Sequence, residues 1–277
     1  MPFTIFDPNM NKIDYPVGVT PLDFLVSAIE KERYIETVNG IPGNVNYGFD
    51  YKEREVTLNF WLRHYHGEHD QKLLKSELYA MLDSQPYFYV SDDRLPTRVL
   101  KLAIDEPYLP DRINGSNIST LEVKCQIIGL PFWQTKYTTE KIEAKGYDAL
   151  FERFGMADGI NIDYPNYLFR ENTIYIWNGG NVTIDPRNMN LKFELSNVTS
   201  DGDFTIANET TTEKFVYKEA IASKKLTIDG TKVLMNTTNK LRDSNRKFIS
   251  LVPGLNKLTI SNGTFGYLLV DFPFYYK

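Results

Sequence analysis

The feature that most constrains this chain is alternation with a period of two. From Val56 the apolar residues Val56, Leu58, Phe60 and Leu62 alternate with Glu55, Thr57, Asn59, Trp61 and Arg63, which places one face in a core and the other outside. Leu121, Val123, Cys125 and Ile127 repeat the pattern against Thr120, Glu122, Lys124 and Gln126, and Leu100, Leu102 and Ile104 form a third set. A chain so patterned must stack sheet faces. Between these runs, Leu74, Leu78, Met81 and Leu82 share a helical face, with Asp70 as the expected cap and Ser84-Gln85-Pro86 as the stop. The first half therefore reads as a sheet carrying one helix.

The second half is all strand. Apolar pairs at Ile174/Ile176, Val182/Ile184, Leu191/Phe193/Leu195, Phe204/Ile206, Phe215/Tyr217, Leu226/Ile228, Leu258/Ile260 and Leu268/Val270 are separated by turn clusters such as Asn178-Gly179-Gly180 and Pro253-Gly254. Short strands at intervals of roughly 8 to 12 residues predict a β-sandwich. From about Thr135 to Pro165 the rhythm breaks, and Tyr147, Leu150, Phe151 and Phe154 form one stripe of a short docking helix. A length of 277 residues suits two domains. We expect a mainly β chain divided into an N-terminal domain with one helix (1–135), a connector with a short helix (136–165) and a C-terminal sandwich (166–277).

Charge and composition narrow the function classes. The 31 Lys and Arg against 36 Asp and Glu give a net charge of −5, which disfavours a nucleic-acid binder that works by phosphate neutralisation. A content of 42% hydrophobic and 24% charged residues belongs to a folded protein, not to a disordered or collagen-like one. No apolar run approaches the roughly 18 to 20 residues of a spanning helix, so no membrane partner is expected. Met1-Pro2-Phe3-Thr4-Ile5-Phe6-Asp7-Pro8 lacks a basic start and a continuous apolar segment, so synthesis is expected to finish in a cytoplasm. Cys125, the single cysteine, sits in an alternating run where a small buried hydrophobe fits. The Asn-x-Ser/Thr patterns at Asn114, Asn117, Asn181, Asn197, Asn208, Asn236 and Asn262 read as turn asparagines beside strand threonines.

Clusters that carry chemistry elsewhere have plainer readings here. His64, His66 and His69, all the histidines of the chain, can place metal ligands at i and i+2 of a strand with Glu68 in reach. The same stretch is a loop entering a helix, and we read it as a solvated polar loop. Asp92-Asp93, Asp105-Glu106 and Asp201-Gly202-Asp203 supply the paired acids of a glycosidase, yet each sits where turn chemistry accounts for it. Lys240, Arg242, Arg246 and Lys247, interrupted by Asp243, read as a solvated loop. There is no Gly-x-Ser-x-Gly elbow, phosphate-binding glycine loop or Cys-His arrangement. No catalytic residue, cofactor site or metal ligand is assigned, and no enzyme is expected. The 18 Tyr, 17 Phe and 3 Trp suggest contact surfaces without naming a ligand.

Several segments, taken in order, resemble the distal tail protein (Dit) family of long-tailed, non-contractile phages, in particular those of staphylococcal and other Gram-positive phages. They are Val38-Asn39-Gly40-Ile41-Pro42-Gly43, then Tyr51-Lys52-Glu53-Arg54-Glu55-Val56-Thr57-Leu58-Asn59-Phe60, the helix to Leu82, and the strand ending at Gly129-Leu130-Pro131-Phe132-Trp133. Leu251-Val252-Pro253-Gly254-Leu255-Asn256-Lys257-Leu258-Thr259-Ile260 resembles the turn before a late strand of that family. Asn44 stands where the family often has a basic residue, so no contact of that residue carries over.

The resemblance implies a structural baseplate or tail-tip hub: an N-terminal β-sandwich-like domain closing into a hexameric ring, and galectin-like (jelly-roll) C-terminal sandwiches projecting outward. The implied partners are other copies of the chain, the tail tube protein, the tail-associated lysin or tip protein, and receptor-binding or other baseplate proteins. DNA is implied only as cargo, and the implied location is the virion, after assembly in the host cytoplasm. A ring needs a head-to-tail interface that closes by rotation, which exposed strand edges or hairpins supply. Six copies of an acidic chain suggest a lumen lined by neutral or acidic side chains, past which DNA slides. The alternative reading is a carbohydrate-binding module whose second sandwich recognises cell-wall glycan or teichoic acid. A wall-degrading hydrolase is a third class, which would need one of the acidic pairs.

Overall fold

The alternating runs become antiparallel ladders. The computed structural model describes residues 2–141 and 159–277, and the stripe of Tyr147, Leu150, Phe151 and Phe154 lies outside the described residues. Two units divide the chain, Met1–Trp133 and Gln134–Lys277.

The first unit comprises β1 (Phe3–Phe6), β2 (Val19–Val26), β3 (Lys31–Glu36), β4 (Val45–Tyr51), β5 (Val56–Arg63), α1 (Gly67–Leu82), β6 (Phe88–Asp92), β7 (Arg98–Ala103), β8 (Asp111–Arg112) and β9 (Ile118–Ile127), and ends where β10 (Trp133–Thr135) begins. Its strands follow the order β1-β6-β7-β9-β5-β2, with β8 beside β9. Strand β9 joins the two halves of this path. It pairs with β5 from Val56↔Cys125 to Arg63↔Ile118, while its last residues Gln126 and Ile127 pair with Ala103 and Leu102 of β7. The side chains predicted to point inward do so: Leu58, Phe60, Leu121 and Val123 are at most 2% exposed. Full burial of each such side chain contributes about 1.5–3 kcal/mol. Phe60 meets Phe3 edge to face, with ring centroids 5.2 Å apart.

Helix α1 covers this core with Leu74, Leu78 and Leu82, one turn apart on a single face. It starts a turn earlier than the sequence suggested. His66 is the N-cap residue, and Asp70 lies inside the helix, where its carboxylate accepts the N–H groups of Tyr65 at 2.7 Å and His66 at 2.9 Å. Asp70 therefore pins the incoming loop instead of capping. At the other end Ser84 Oγ donates to the Met81 carbonyl, satisfying one of the last carbonyls ahead of Pro86.

In the second unit the strands are β11 (Leu168–Phe169), β12 (Thr173–Asn178), β13 (Lys192–Ser200), β14 (Phe204–Asn208), β15 (Glu213–Tyr217), β16 (Ile221–Asp229), β17 (Lys232–Met235), β18 (Thr238–Asn239), β19 (Gly254–Ser261), β20 (Leu268–Asp271) and β21 (Tyr275–Tyr276). They form one sheet of order β11-β20-β13-β16-β17-β18 and another of order β12-β19-β14-β15. A small void lined by Phe193 and Ile228 of the first sheet and Phe215 of the second shows that the sheets face each other. This is the predicted sandwich.

One expected strand is absent. Val182 and Ile184 are buried, but Ile184 makes only an isolated bridge to Leu251, with N–H···O distances of 2.9 and 3.0 Å. The Asn178 amide donates to the carbonyls of both Val182 and Leu251 at 3.1 Å. A side chain thus takes the place of a neighbouring strand, and apolar burial at Val182 and Ile184 does not require a ladder.

Candidate assembly surface

Strands β3 and β4 form a two-stranded sheet of their own. Every residue of β3 is exposed, and Ile35, Ile41 and Tyr47 are each more than half exposed. The turn between the strands carries Val38-Asn39-Gly40-Ile41-Pro42-Gly43, with Gly40 and Gly43 both at φ +86°, a region that glycine enters without steric cost. A hairpin with no buried face is marginally stable alone. Its outer edges carry unpaired backbone groups that favour adding strands from elsewhere.

The hairpin has two chemically different sides. On one, Lys31 Nζ lies 5.0 Å from the Phe49 ring centre, Arg33 lies 5.5 Å from the same ring, and Phe49 meets Tyr51 edge to face at 5.2 Å. On the other, Glu32 and Asp50 are directly opposed in the register, an arrangement that costs stability because like charges face each other. Lys52 pairs with Glu32, and Tyr34 donates its hydroxyl to Asp50 at 2.8 Å. That hydrogen bond to a carboxylate raises the Tyr34 pKa. A basic, aromatic side and an acidic side on one blade are suited to head-to-tail stacking against copies of the same blade.

The root of the blade is tied down. The backbone pairs Ser27 with Glu55 and Glu30 with Glu53 at 2.9 and 3.0 Å, and Arg54 donates from Nε to the Pro131 carbonyl at 2.8 Å. Beside the root, β2 is the last strand of its sheet, and an open groove of about 540 Å³ runs along Phe24, Leu25 and Val26. Leu25 is 54% exposed on it. An exposed blade and an open strand edge thus both fall in the segment between Val19 and Tyr51.

The residues singled out as possible chemistry are scattered. His64 is buried, contrary to the solvated loop expected, with Nδ1 3.2 Å from the Asn117 carbonyl. Its neighbour Asn117 donates a hydrogen bond from its side-chain amide to the His64 carbonyl at 3.1 Å, so an apparent loop histidine is stapled into the sheet. His66 caps α1 and His69 lies within it. Among the described residues, no three His, Cys, Asp or Glu side chains gather as metal ligands. Asp92 accepts the Arg94 N–H, Asp93 accepts the Thr4 hydroxyl, and Asp203 occupies a left-handed turn position at φ +51°. Asp105 and Glu106 are exposed beyond β7. Lys240 pairs with Asp243 at 2.9 Å. The Cys125 thiol is pushed up to about 12 by burial.

The asparagines carry more structure than their turn role suggested. Asn197, Asn236 and Asn262 do take left-handed turn positions. Asn208 and Asn256, however, are fully buried in the sandwich. Asn256 accepts the Val252 N–H at 3.0 Å and donates to the Val252 and Gly254 carbonyls at 2.8 and 3.1 Å, clamping the Pro253-Gly254 turn. The Pro-Gly-x-Asn pattern is therefore a turn with its lock built in. Its signal was in the sequence; which amides it satisfies was not.

The model of the phage tail protein RIFT-related domain family matches residues 17–125, a segment that holds the hairpin, the helix, β5 and most of β9. Over its full length the chain has the fold of the phage SPP1 Dit protein. The TM-score is 0.68 at 12% identity, with 99% of each chain covered, and the SPP1 protein is described as a paradigm of hub adsorption apparatus in phages that infect Gram-positive bacteria. A chain of the phage P2 baseplate in its activated conformation with Ca aligns with a TM-score of 0.50 at 13% identity, covering 100% of this chain and 98% of that one. No curated protein sequence matches the chain.

Proposed function

We propose that this protein is a structural hub of a siphophage tail tip or baseplate. In this reading the N-terminal domain, residues 1–135, closes into a hexameric ring, and the sandwich of residues 166–277 stands outside it beyond a connector at 136–165. The ring joins the tail tube protein on one side to the tail-associated lysin or tip protein on the other, and the outer sandwiches support receptor-binding or other baseplate proteins. The protein works by symmetric assembly and not by catalysis. It ends up in the virion after assembling in the host cytoplasm.

One observation carries the proposal: the β3–β4 blade exposes Ile35, Ile41 and Tyr47 while its root is bonded in place. A rooted apolar blade with free edges suits a strand-adding partner of the same chain. The test is native mass spectrometry with negative-stain imaging of the full chain beside an Ile35→Lys, Tyr47→Ala variant. Six-fold rings from the parent, lost in the variant at unchanged melting temperature, support the reading. A monomeric parent under ring-permissive conditions sinks it, and so does a resolved ring lumen lined chiefly by Lys and Arg.

A second reading, a glycan-binding sandwich, draws on an open groove of about 410 Å³ flanked by Tyr164, Arg170 and Tyr175. Saturable binding of the full chain to purified cell wall, removed by Tyr175→Ala, would favour it.

A further inference from the structure

A separate cavity of about 230 Å³ opens between α1 and the sheet of the first unit. His64 forms part of its wall and is only 8% exposed. The ring is oriented by Nδ1, which meets the Asn117 carbonyl at 3.2 Å. The other ring nitrogen, Nε2, has no hydrogen-bond partner among the described residues and is not sealed from solvent. His64, nine-tenths buried, thus lines the cavity while one of its ring nitrogens is satisfied by no group among the described residues.

The charged side chains that line the cavity are of one sign, with the Asp70 carboxylate in electrostatic reach of His64 outside it. Lys72 and Lys75, three positions apart on α1, line the same cavity, Lys75 Nζ also lies 5.3 Å from the centre of the Tyr79 ring, and no acidic side chain lines the cavity. The nearest acids of the helix are engaged elsewhere: Asp70 holds the Tyr65 and His66 amides, and Glu68 pairs with Arg112 at 3.4 Å. Leu62 and Leu74 supply an apolar wall. Cationic side chains beside an apolar wall fit an anion carried on an aliphatic stem better than a bare ion.

We propose that this cavity is a binding site for a carboxylate on an apolar stem, received by Lys72 and Lys75 and by the doubly protonated imidazolium of His64, whose Nδ1–H stays on the Asn117 carbonyl while Nε2–H meets the anion. Such a group arrives either as a small aliphatic carboxylate or as a glutamate side chain of another polypeptide. The site lies apart from the blade and does not depend on ring formation.

The three histidines make the test direct, because ring signals of the full-length protein can be assigned with His64→Asn and His66→Asn. Asn at position 64 keeps a donor toward the Asn117 carbonyl while removing the group that faces the cavity. The probes are butyrate, inorganic phosphate, and a capped Ala-Glu-Ala peptide with its Gln counterpart. Butyrate is expected to move the His64 signals saturably and to bind about tenfold more tightly than phosphate. His64→Asn abolishes this binding, and Lys72→Gln with Lys75→Gln weakens it about tenfold. If His64→Asn does not fold, the lysine variant decides alone. Tighter binding of the Glu peptide than of butyrate, absent with Gln, identifies a polypeptide source; binding of butyrate alone identifies a small-molecule source. No saturable shift with either, phosphate binding more tightly than butyrate, or full affinity in the lysine variant overturns the proposal.

Discussion

Arg54 donates its Nε–H to the carbonyl of Pro131 at 2.8 Å, linking positions 77 apart in the chain. Arg54 stands between the blade and β5, whereas Pro131 belongs to the loop after β9, so this one bond fastens the root of the blade to the far side of the central strand pair. Phe132 reinforces it by meeting Tyr51, the last residue of β4, at 5.7 Å. The relationship connects two of the segments that resembled phage tail proteins.

Replacing Arg54 with Met should free the Pro131 carbonyl and loosen the blade without unfolding the domain. Loss of one charge-assisted, half-buried bond costs about 1–2 kcal/mol. Hydrogen exchange checks it: amides of residues 31–51 should exchange faster, while those of Val56–Arg63 keep their protection. Equal acceleration in both segments would refute the rooting role.

Asn256→Ala should destabilise the second unit more than an ordinary surface change. It strands the Val252 N–H and the Val252 and Gly254 carbonyls inside the sandwich, and removes one of the two acceptors of the Asn208 amide, at 3.3 Å, leaving the Ser250 carbonyl at 2.8 Å. Leaving buried groups unsatisfied costs about 1–3 kcal/mol each, partly relieved by water. Urea unfolding should show a lower midpoint, and a Pro253→Ala control should fall short of it.

Cys125 should be inert in the folded protein. Its side chain is 7% exposed, and burial holds the thiol at about 12, so almost no thiolate exists near neutrality. A disulfide-exchange reagent should titrate no thiol natively and one per chain in denaturant. Rapid native reaction would contradict the packing of β9.

Asp70 should make the start of α1 sensitive to acid. The His66 and Tyr65 amides lower its pKa below the ordinary 3.8, so its contribution is present above that value and is lost as pH falls through the lower folded-state value. Stability of the parent should exceed that of Asp70→Asn above pH 3.8 and converge with it in stronger acid. A constant gap across the whole acid range would show that the charge is not what holds the loop.

Much of this was legible in one dimension. Alternation at Val56–Leu62, Leu121–Ile127 and Leu258–Ile260 is a local property, because a strand with one apolar side has only one way to bury it, and each of these runs is a strand with those side chains inside. The helical face of Leu74, Leu78 and Leu82 is equally local. The blade escaped the same logic, since Lys31–Glu36 buries nothing and leaves no hydrophobic period to read.

The residue order by itself therefore determined which stretches become strands, where the one described α-helix lies, and which order of turns resembles a phage tail protein. Only the tertiary structure decided that His64 is buried rather than solvated, that Val182 and Ile184 pack without a ladder, and that Asn256 and Arg54 bond where they do. The reason is physical. Burial periodicity depends on neighbours two to four residues away, but the partner of a polar side chain is chosen by whichever backbone the fold brings within about 3 Å, from any distance along the chain.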